Sequence, residues 1–283
     1  MHICMTYLNE GDEVLVPNPG YPTYRSAVKL AGGVCVDYDL TEANDWQPDF
    51  AQLESQDLSK VKLLFVNYPH MPTGAPATQE LFEEGVAFAK KHRILLCHDN
   101  PYSLILNKKA PISLLSVDGA KEVAIELNSM SKSHNMAGWR LGWLVMPPSM
   151  THHMGKLVEF NTSCASVFTQ RAGIAALQHA DEITPRVVAH LQQCRDTLVP
   201  LLQALPGVEV ASARGGMYAF FRLPGHGDSL TTAKRLVAEA GLGLAPGNAF
   251  GDEAQGWLRW CFASKDPQRL VQGVGRLKNW LGL

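Results

Sequence analysis

The sequence predicts an α/β fold, in which helices cover both faces of a mostly parallel sheet, followed by a smaller α+β unit. Up to Pro147 the chain alternates short apolar runs, bounded by Gly, Pro or Asn, with segments of helical periodicity. Such alternation is typical of a parallel sheet buried on both faces. After Pro147 the alternation stops, and long helical segments precede a group of short strands.

The apolar runs place the strands of the large sheet at 13–17, 34–40, 62–67, 94–98, 123–127 and 141–146. Helical periodicity between them predicts helices at 24–31, 48–55 and 79–92. Beyond Pro147 we predict helices at 149–180, 181–205 and 231–240 and from Pro267 onward, with strands at 208–211, 217–223 and 257–262. The change in pattern predicts a large domain over 1–180 and a small C-terminal domain over 181–283.

Composition and charge exclude several classes of protein. The formal net charge is −2, and no Lys/Arg cluster forms a basic stripe, so nucleic acid is not an expected partner. The apolar runs are shorter than the roughly 20 residues that span a bilayer. Scattered cysteines without a C-x-x-C pair predict reduced thiols in a cytoplasmic protein, although one catalytic cysteine remains an alternative. They are Cys4, Cys35, Cys97, Cys164, Cys194 and Cys261.

The segment SMSKSHNMAGWRLGW, residues 129–143, carries the strongest chemical signal. Lys132 follows a predicted buried strand, and α/β proteins place their sites at the carboxyl ends of strands. Apolar neighbours would partly desolvate this amine, which favours its nucleophilic neutral form. Arg140 offers a planar fork suited to a phosphate, and Ser129 and Ser131 add hydroxyl donors. A lone Lys–Arg pair is more often a pair of surface charges, but the complete segment favours a site.

This complete segment resembles the lysine motif of the class I/II aminotransferases, which are fold-type I enzymes dependent on pyridoxal 5'-phosphate (PLP). The resemblance implies that Lys132 forms a Schiff base with PLP, and that Arg140 and Ser129 bind its phosphate. It also implies that the large domain binds PLP. The expected reaction moves an amino group between an L-amino acid and a 2-oxo acid, both small molecules, in a homodimer.

Two further motifs follow the order of the same family. In HDNPY, residues 98–102, Asp99 ends an apolar strand, and the family places there the carboxylate that holds the pyridine nitrogen. Tyr102 is then the expected donor to the phenolic oxygen of the ring. In NPGYPTY, residues 18–24, Tyr21 is the expected aromatic that stacks on the cofactor. Taken alone, Asp99 is more typical of a helix cap or turn, and Tyr21 is as typical of a Pro-Gly turn as of a cofactor site. A metal site at His98 and Asp99 lacks a third ligand at a suitable spacing.

The segment NYPHMPTG, residues 67–74, departs from the family pattern. It resembles the N-P-T-G loop, but Met71 stands where the family has an asparagine that donates to the phenolic oxygen. A thioether cannot donate a hydrogen bond. We therefore expect the phenolate of the cofactor to be less stabilised here than in relatives with asparagine. The sequence leaves open whether His70 or Asn67 supplies the donor instead.

The C-terminal part contains an arginine inside an apolar strand, in GWLRWCFA at residues 256–263. A cation there is costly unless it is paired with an anion. By resemblance, Arg259 binds the α-carboxylate of the substrate. An internal salt bridge is the alternative. The segment RGGMYAFF, residues 214–221, resembles the strand that faces the substrate side chain.

The start of the sequence predicts a helix over 1–8 without an N-cap residue or a preceding strand. We expect the chain to lack the first part of the family fold, including the loop at a helix N-terminus that binds the PLP phosphate. Residues 1–283 are then expected to hold PLP weakly. Two alternatives to transamination stay open: a C–S lyase or other eliminase of the same fold, and an inactive shortened chain.

Overall fold

The large sheet of the computed structural model, which describes residues 1–106, 110–211 and 213–283, has six strands in the order β2-β1-β3-β4-β5-β6. They are β1 (Glu13–Asn18), β2 (Val34–Asp39), β3 (Val61–Asn67), β4 (Leu95–Asn100), β5 (Ala124–Ser129) and β6 (Gly142–Val145). Neighbouring strands from β2 to β5 run parallel, and β6 is antiparallel to β5. The prediction of a mostly parallel sheet is confirmed.

The helices flank this sheet and extend beyond it. They are α1 (His2–Tyr7), α2 (Pro22–Leu30), α3 (Phe50–Glu54), α4 (Gln79–His92), α5 (Ala120–Val123), α6 (Pro148–Thr162), α7 (Val167–Gln178), α8 (Ala180–Gln203), α9 (Ser229–Ala240) and α10 (Gln268–Trp280). The sequence dictates the bounds of α4, because the Thr78 side chain accepts from the Leu81 N–H at its start and cationic residues fill its last turn.

The strands β1, β3 and β4 lie in the middle of the sheet and are apolar on both faces. Alternate residues of these strands enter two hydrophobic clusters, one on each face of the sheet. Leu15, Leu64 and Leu96 belong to the larger cluster, and Val14, Leu63 and Cys97 belong to the smaller one. Burial on both faces explains why these strands are near-continuous apolar runs in the sequence.

A second, antiparallel sheet forms in the C-terminal part, with strand order β7-β8-β10-β9. Its strands are β7 (Glu209–Val210), β8 (Tyr218–Arg222), β9 (Ala245–Pro246) and β10 (Trp257–Cys261). The predicted strands at 208–211, 217–223 and 257–262 are therefore confirmed. The predicted domain boundary at residue 180 coincides with the first residue of α8, and it stays a prediction.

The predicted continuous helix over 149–180 is wrong, because the structure divides it into α6 and α7. The break begins at Ser163, which has a positive φ of 58°. Thr162 and Ser163 are weak helix formers, and their hydroxyls compete for backbone hydrogen bonds. Among the described residues, no helix is both long and apolar enough to cross a membrane.

Candidate active site

A cavity of about 680 Å³ lies beside the carboxyl ends of β4 and β5. Parallel strands bring their carboxyl ends to one edge of a sheet, so the loops that follow them meet there. Five of the eight residues singled out in the sequence line this cavity: Tyr21, Asp99, Ser129, Ser131 and Arg140. The other three, Lys132, Tyr102 and Arg259, do not line the cavity. They are linked to one another, because Lys132 lies near the Tyr102 ring, and both Tyr102 and Arg259 contact Tyr218.

Asp99, near the end of β4, faces the cavity without a cationic partner among the described residues. Burial raises the pKa of its carboxyl, and this effect is partly offset by the hydrogen bond from Tyr24 and by the positive charge of His98. A cationic group of a ligand in the cavity would therefore favour the ionised form of Asp99.

Tyr24 is a site residue that sequence reasoning missed. Its hydroxyl donates to Asp99 Oδ2 at 2.6 Å, and its ring stacks on Phe65 at 4.9 Å between centroids. Burial, together with the Asp99 carboxylate, raises the pKa of the Tyr24 phenol well above its usual range, so the hydroxyl stays a donor. The available signal was its spacing, because Tyr24 lies three positions after Tyr21 at the start of α2, so the two side chains are on one face.

Tyr21 is the most accessible aromatic residue of the cavity. Its side chain is 44% exposed, and its ring meets that of Tyr24 edge-on at 5.7 Å. One ring face is therefore available to a planar ligand.

The Lys132 loop follows β5 directly, as the sequence predicts. The Lys132 amine lies 5.9 Å from the centre of the Tyr102 ring. Arg140, eight residues later, has a positive φ of 55° and donates from one guanidinium nitrogen to the carbonyl of Ala137 at 2.9 Å. The guanidinium lines the cavity and is exposed, so its remaining donors are available to an anion.

Tyr102 joins the large sheet to the small one. Its hydroxyl lies 3.1 Å from the hydroxyl of Tyr218, which β8 supplies. Burial and the neighbouring Tyr218 raise the pKa of the Tyr102 phenol, so it remains a proton donor. Tyr218 falls within the segment 214–221, which the sequence marked without choosing a residue.

Arg259, in β10, has no carboxylate partner among the described residues. Its guanidinium packs between two rings, 4.3 Å from the centre of Tyr218 and 4.7 Å from that of Phe250. One terminal nitrogen contacts the sulfur of Met71 at 3.1 Å, and the buried Nε lacks a hydrogen-bond partner. The internal salt bridge that the sequence allowed is therefore not found in the described part of the chain. A half-buried arginine whose donors lack an anionic partner can bind a carboxylate through two parallel hydrogen bonds.

Both ring nitrogens of His70 are engaged, and Asn67 uses its amide oxygen and one of its two amide hydrogens in other contacts. The Asn67 amide donates to the carbonyl of Asp99 at 2.7 Å and accepts from the Met71 N–H at 2.9 Å. The two His70 ring nitrogens contact Thr73 at 2.8 Å and the carbonyl of Pro19 at 3.2 Å. Burial lowers the pKa of His70 to about 3, so the ring is neutral. Tyr102 lies beside Lys132 and keeps its phenol proton, so it has a donor role.

Together, the fold and the cavity fit PLP. The cavity offers an enclosed carboxylate without a cation at Asp99, an open ring face at Tyr21, and a guanidinium with free donors at Arg140. These groups match a protonated pyridine nitrogen, an aromatic ring and a phosphate, respectively. This combination defines a fold-type I, PLP-dependent enzyme.

The comparison with known proteins specifies the class further. The family model for aminotransferase class I and II matches residues 1–277, and the chain belongs to that family, whose members depend on PLP. It is 36% identical to the LL-diaminopimelate aminotransferase of Dehalococcoides mccartyi, covering 99% of this chain and 72% of that protein. The enzyme of the same name from Halothermothrix orenii is also 36% identical, covering 98% and 71%.

Solved structures agree with this assignment. Substrate-bound BacF from Bacillus subtilis superposes with a TM-score of 0.95 at 32% identity, covering all of this chain and 72% of that one. The aromatic aminotransferase of Pyrococcus horikoshii gives a TM-score of 0.94 at 28% identity, covering 99% and 76%. The protein is therefore an aminotransferase of fold type I, and the elimination alternative is not supported.

Proposed function

We propose that Lys132, Asp99 and Arg259 carry out transamination between an L-amino acid and a 2-oxo acid. The observation that supports this most is the environment of Arg259, a half-buried guanidinium between two aromatic rings without an internal anion. A substrate α-carboxylate satisfies its unpaired donors through two parallel hydrogen bonds. The substrate is then oriented with its α-carbon toward the loop that carries Lys132.

Each remaining residue has a proposed role toward the cofactor. Bound PLP supplies an electron sink that stabilises the carbanion at the substrate α-carbon. Asp99 holds the pyridine nitrogen, and Tyr102 donates to the phenolic oxygen. The phosphate binds through Arg140, Ser129 and Ser131, and Tyr21 covers the ring.

Lys132 is the proposed proton carrier. Its amine would take the proton from the substrate α-carbon and return it to the carbon that the cofactor aldehyde provides, first as a general base and then as a general acid. Tyr102 lies beside it, and burial keeps that phenol protonated, so it does not compete for the proton. The order of events follows from this role. The substrate amine must first replace Lys132 on the cofactor, because the Lys132 amine can act as a base only when it is free.

The first substrate to test is LL-diaminopimelate. Relatives that are 36% identical over nearly the whole chain carry that name. We propose the large PLP-binding domain over 1–180 and the small domain over 181–283, with the substrate between them. We also propose a cytoplasmic homodimer. The six free cysteines suit a reducing compartment, and Phe160 and Phe168, each 77% exposed, offer apolar surface to a second copy.

The proposed reaction is tested with the purified protein, added PLP and LL-diaminopimelate, with and without a 2-oxo acid acceptor. We expect more than one product molecule per active site only when the acceptor is present, because the amino group must leave the cofactor before another turnover. Other amino acids are assayed in parallel to rank substrates. Product formation that continues without an acceptor indicates elimination and contradicts the proposal. A protein that forms no product from any amino acid contradicts it as well.

The role of Arg259 predicts a specific kinetic change. In the Arg259→Gln variant we expect KM to rise on the order of 100-fold with a smaller change in kcat, because a buried carboxylate contact is lost. Arg276→Gln is the control, since Arg276 is exposed and contacts only the carbonyl of Gly241 among the described residues. Steady-state kinetics on both variants measure the effect. An unchanged KM in Arg259→Gln contradicts the role.

The contact between Tyr24 and Asp99 predicts an effect on cofactor affinity. We expect Tyr24→Phe to raise the PLP Kd by about 10-fold or more, because a hydrogen bond to a charged group is lost. The loss grows as pH falls, since Asp99 without this donor is protonated more readily. Fluorescence titration with PLP across pH measures it. Tyr38→Phe is the matched control, because Tyr38 is buried and donates to the Phe65 carbonyl at 2.6 Å. Equal Kd values in both variants contradict the prediction.

A further inference from the structure

A buried charged pair lies directly behind Asp99 in the sheet. His98 and Glu126 face each other in the parallel register of β4 and β5, and they are 0% and 4% exposed. His98 precedes Asp99, so the two side chains project from opposite faces of β4. The imidazole therefore lies on the side of the sheet away from the cavity, where the ring of Phe82 packs against it at 4.9 Å.

Both ring nitrogens of His98 contact acceptors. Nε2 lies 2.9 Å from the carbonyl oxygen of Tyr68, which can only accept, so Nε2 carries a hydrogen. Nδ1 lies 3.1 Å from Oε2 of Glu126. The charges of the two groups depend on whether Nδ1 or Oε2 carries the hydrogen between them.

The other contacts of Glu126 show that it is a carboxylate. Its Oε2 also accepts from the Leu114 N–H at 2.9 Å, and the Ser113 hydroxyl lies 3.1 Å from both of its oxygens. Burial alone raises the pKa of Glu126, but the hydrogen bonds from His98, Ser113 and Leu114 outweigh it and lower the pKa. Three hydrogen bonds to the Glu126 carboxyl group favour its ionised form, and this arrangement favours a second hydrogen on Nδ1 of His98.

The positive ring is well placed to act on Asp99. The two residues are adjacent in β4, and the apolar interior screens the charge weakly. The titratable side chains around Asp99 are the phenols of Tyr24 and Tyr102 and the imidazole of His98. Those around His98 are Glu126 and the phenol of Tyr68, whose hydroxyl is engaged by the carbonyl of Trp46. Among the described residues, His98 is the side chain whose positive charge lowers the pKa of Asp99.

We propose that Glu126 holds His98 as an imidazolium, and that His98 is a positioning residue that acts through Asp99. The positive ring favours the ionised carboxylate that the cofactor nitrogen requires. Glu126 in turn prevents the ring from losing its proton at the pH of the reaction. This proposal rests on the proposed role of Asp99 toward PLP.

The protonation of His98 is tested without the cofactor. Protein labelled with ¹⁵N-histidine is studied by NMR at about pH 8, above the ordinary imidazole pKa of about 6.5. The His98 signals are assigned by their loss in His98→Gln. We expect both ring nitrogens to show the shifts of an imidazolium. A neutral tautomer, with one nitrogen unprotonated, overturns the proposal whether or not the protein binds PLP.

The effect on Asp99 is tested by PLP binding across pH. In Glu126→Gln the ring loses its carboxylate and becomes neutral, and we expect the PLP Kd to rise by about tenfold or more on the acid side of neutrality. Glu122→Gln is the control, because Glu122 is exposed and pairs only with Lys90 among the described residues. Identical pH profiles in the two variants overturn the proposal. If the unaltered protein fails to bind PLP at any pH, the proposed function is contradicted. The charge of His98 is then decided by the NMR measurement alone, which does not require the cofactor.

Discussion

The Lys132→Ala variant is expected to lose transamination by on the order of 10⁴-fold. Lys132 is the proposed carrier of the α-proton, and the phenol nearest to it, Tyr102, has a raised pKa because of burial and is a poor base. Removing the amine therefore removes both the covalent link to the cofactor and the base. Product formation at saturating PLP and substrate measures the loss.

A matched surface substitution controls for the loss of a lysine. Lys156→Ala removes an exposed amine that pairs with Glu159 on α6 at 3.3 Å. We expect this variant to retain the activity of the unaltered protein. A small primary amine added to Lys132→Ala restores part of the rate, because it fills the space of the side chain and supplies a base. Full activity in Lys132→Ala contradicts the assigned role.

The second largest effect is expected in Asp99→Asn. We predict a PLP Kd raised on the order of 100-fold and a deeper loss of kcat, because the amide cannot balance a protonated pyridine nitrogen. Asparagine keeps the size of the side chain and still accepts from the Tyr24 hydroxyl, so the cavity keeps its shape. Equilibrium dialysis with PLP measures Kd, and product formation measures kcat.

The pH dependence distinguishes a lost charge from a lost contact. Burial raises the pKa of Asp99, so the carboxylate is present above that pKa and is lost as pH falls through it. The unaltered protein should therefore bind PLP more weakly in acid. Asp99→Asn should lack this dependence, since its amide does not titrate. Asp57→Asn, at an exposed carboxylate, should behave like the unaltered protein. If the Asp99→Asn variant still binds PLP more weakly as the pH falls, the proposed role of Asp99 is contradicted.

Much of the large sheet is predictable because its central strands are buried on both faces. Continuous apolar runs mark β1, β3 and β4, and the caps of α4 fix both of its ends. The break between α6 and α7 is not predictable from periodicity, because Val167 and Phe168 continue an apolar pattern that remains exposed in the structure. Such a break depends on local propensity at a few positions.

The site is predictable where one short segment carries several of its groups. Lys132, Arg140 and the two serines belong to one loop, and Asp99 ends a strand. Tyr24 and Tyr218 were missed because their partners lie 75 and 116 positions away, a proximity that only the fold creates. The His98–Glu126 pair depends in the same way on the register between β4 and β5.

Met71 shows what a motif can and cannot reveal. The sequence identifies the missing donor, but only the structure shows that Asn67 and His70 are engaged elsewhere and that the sulfur lies against Arg259. The thioether is therefore part of the surroundings of the proposed carboxylate site. We therefore expect the proposed donor role of Tyr102 to matter more here than in a relative that has asparagine at this position.

Chemical trapping of the cofactor tests the assignment of Lys132 most directly. The purified protein is mixed with excess PLP, reduced with borohydride, digested and sequenced by mass spectrometry. We predict that the reduced pyridoxyl group is found on Lys132, and that its abundance there falls when a substrate amino acid is added before reduction. Labelling that is spread over surface lysines such as Lys156, with none at position 132, would contradict the assignment.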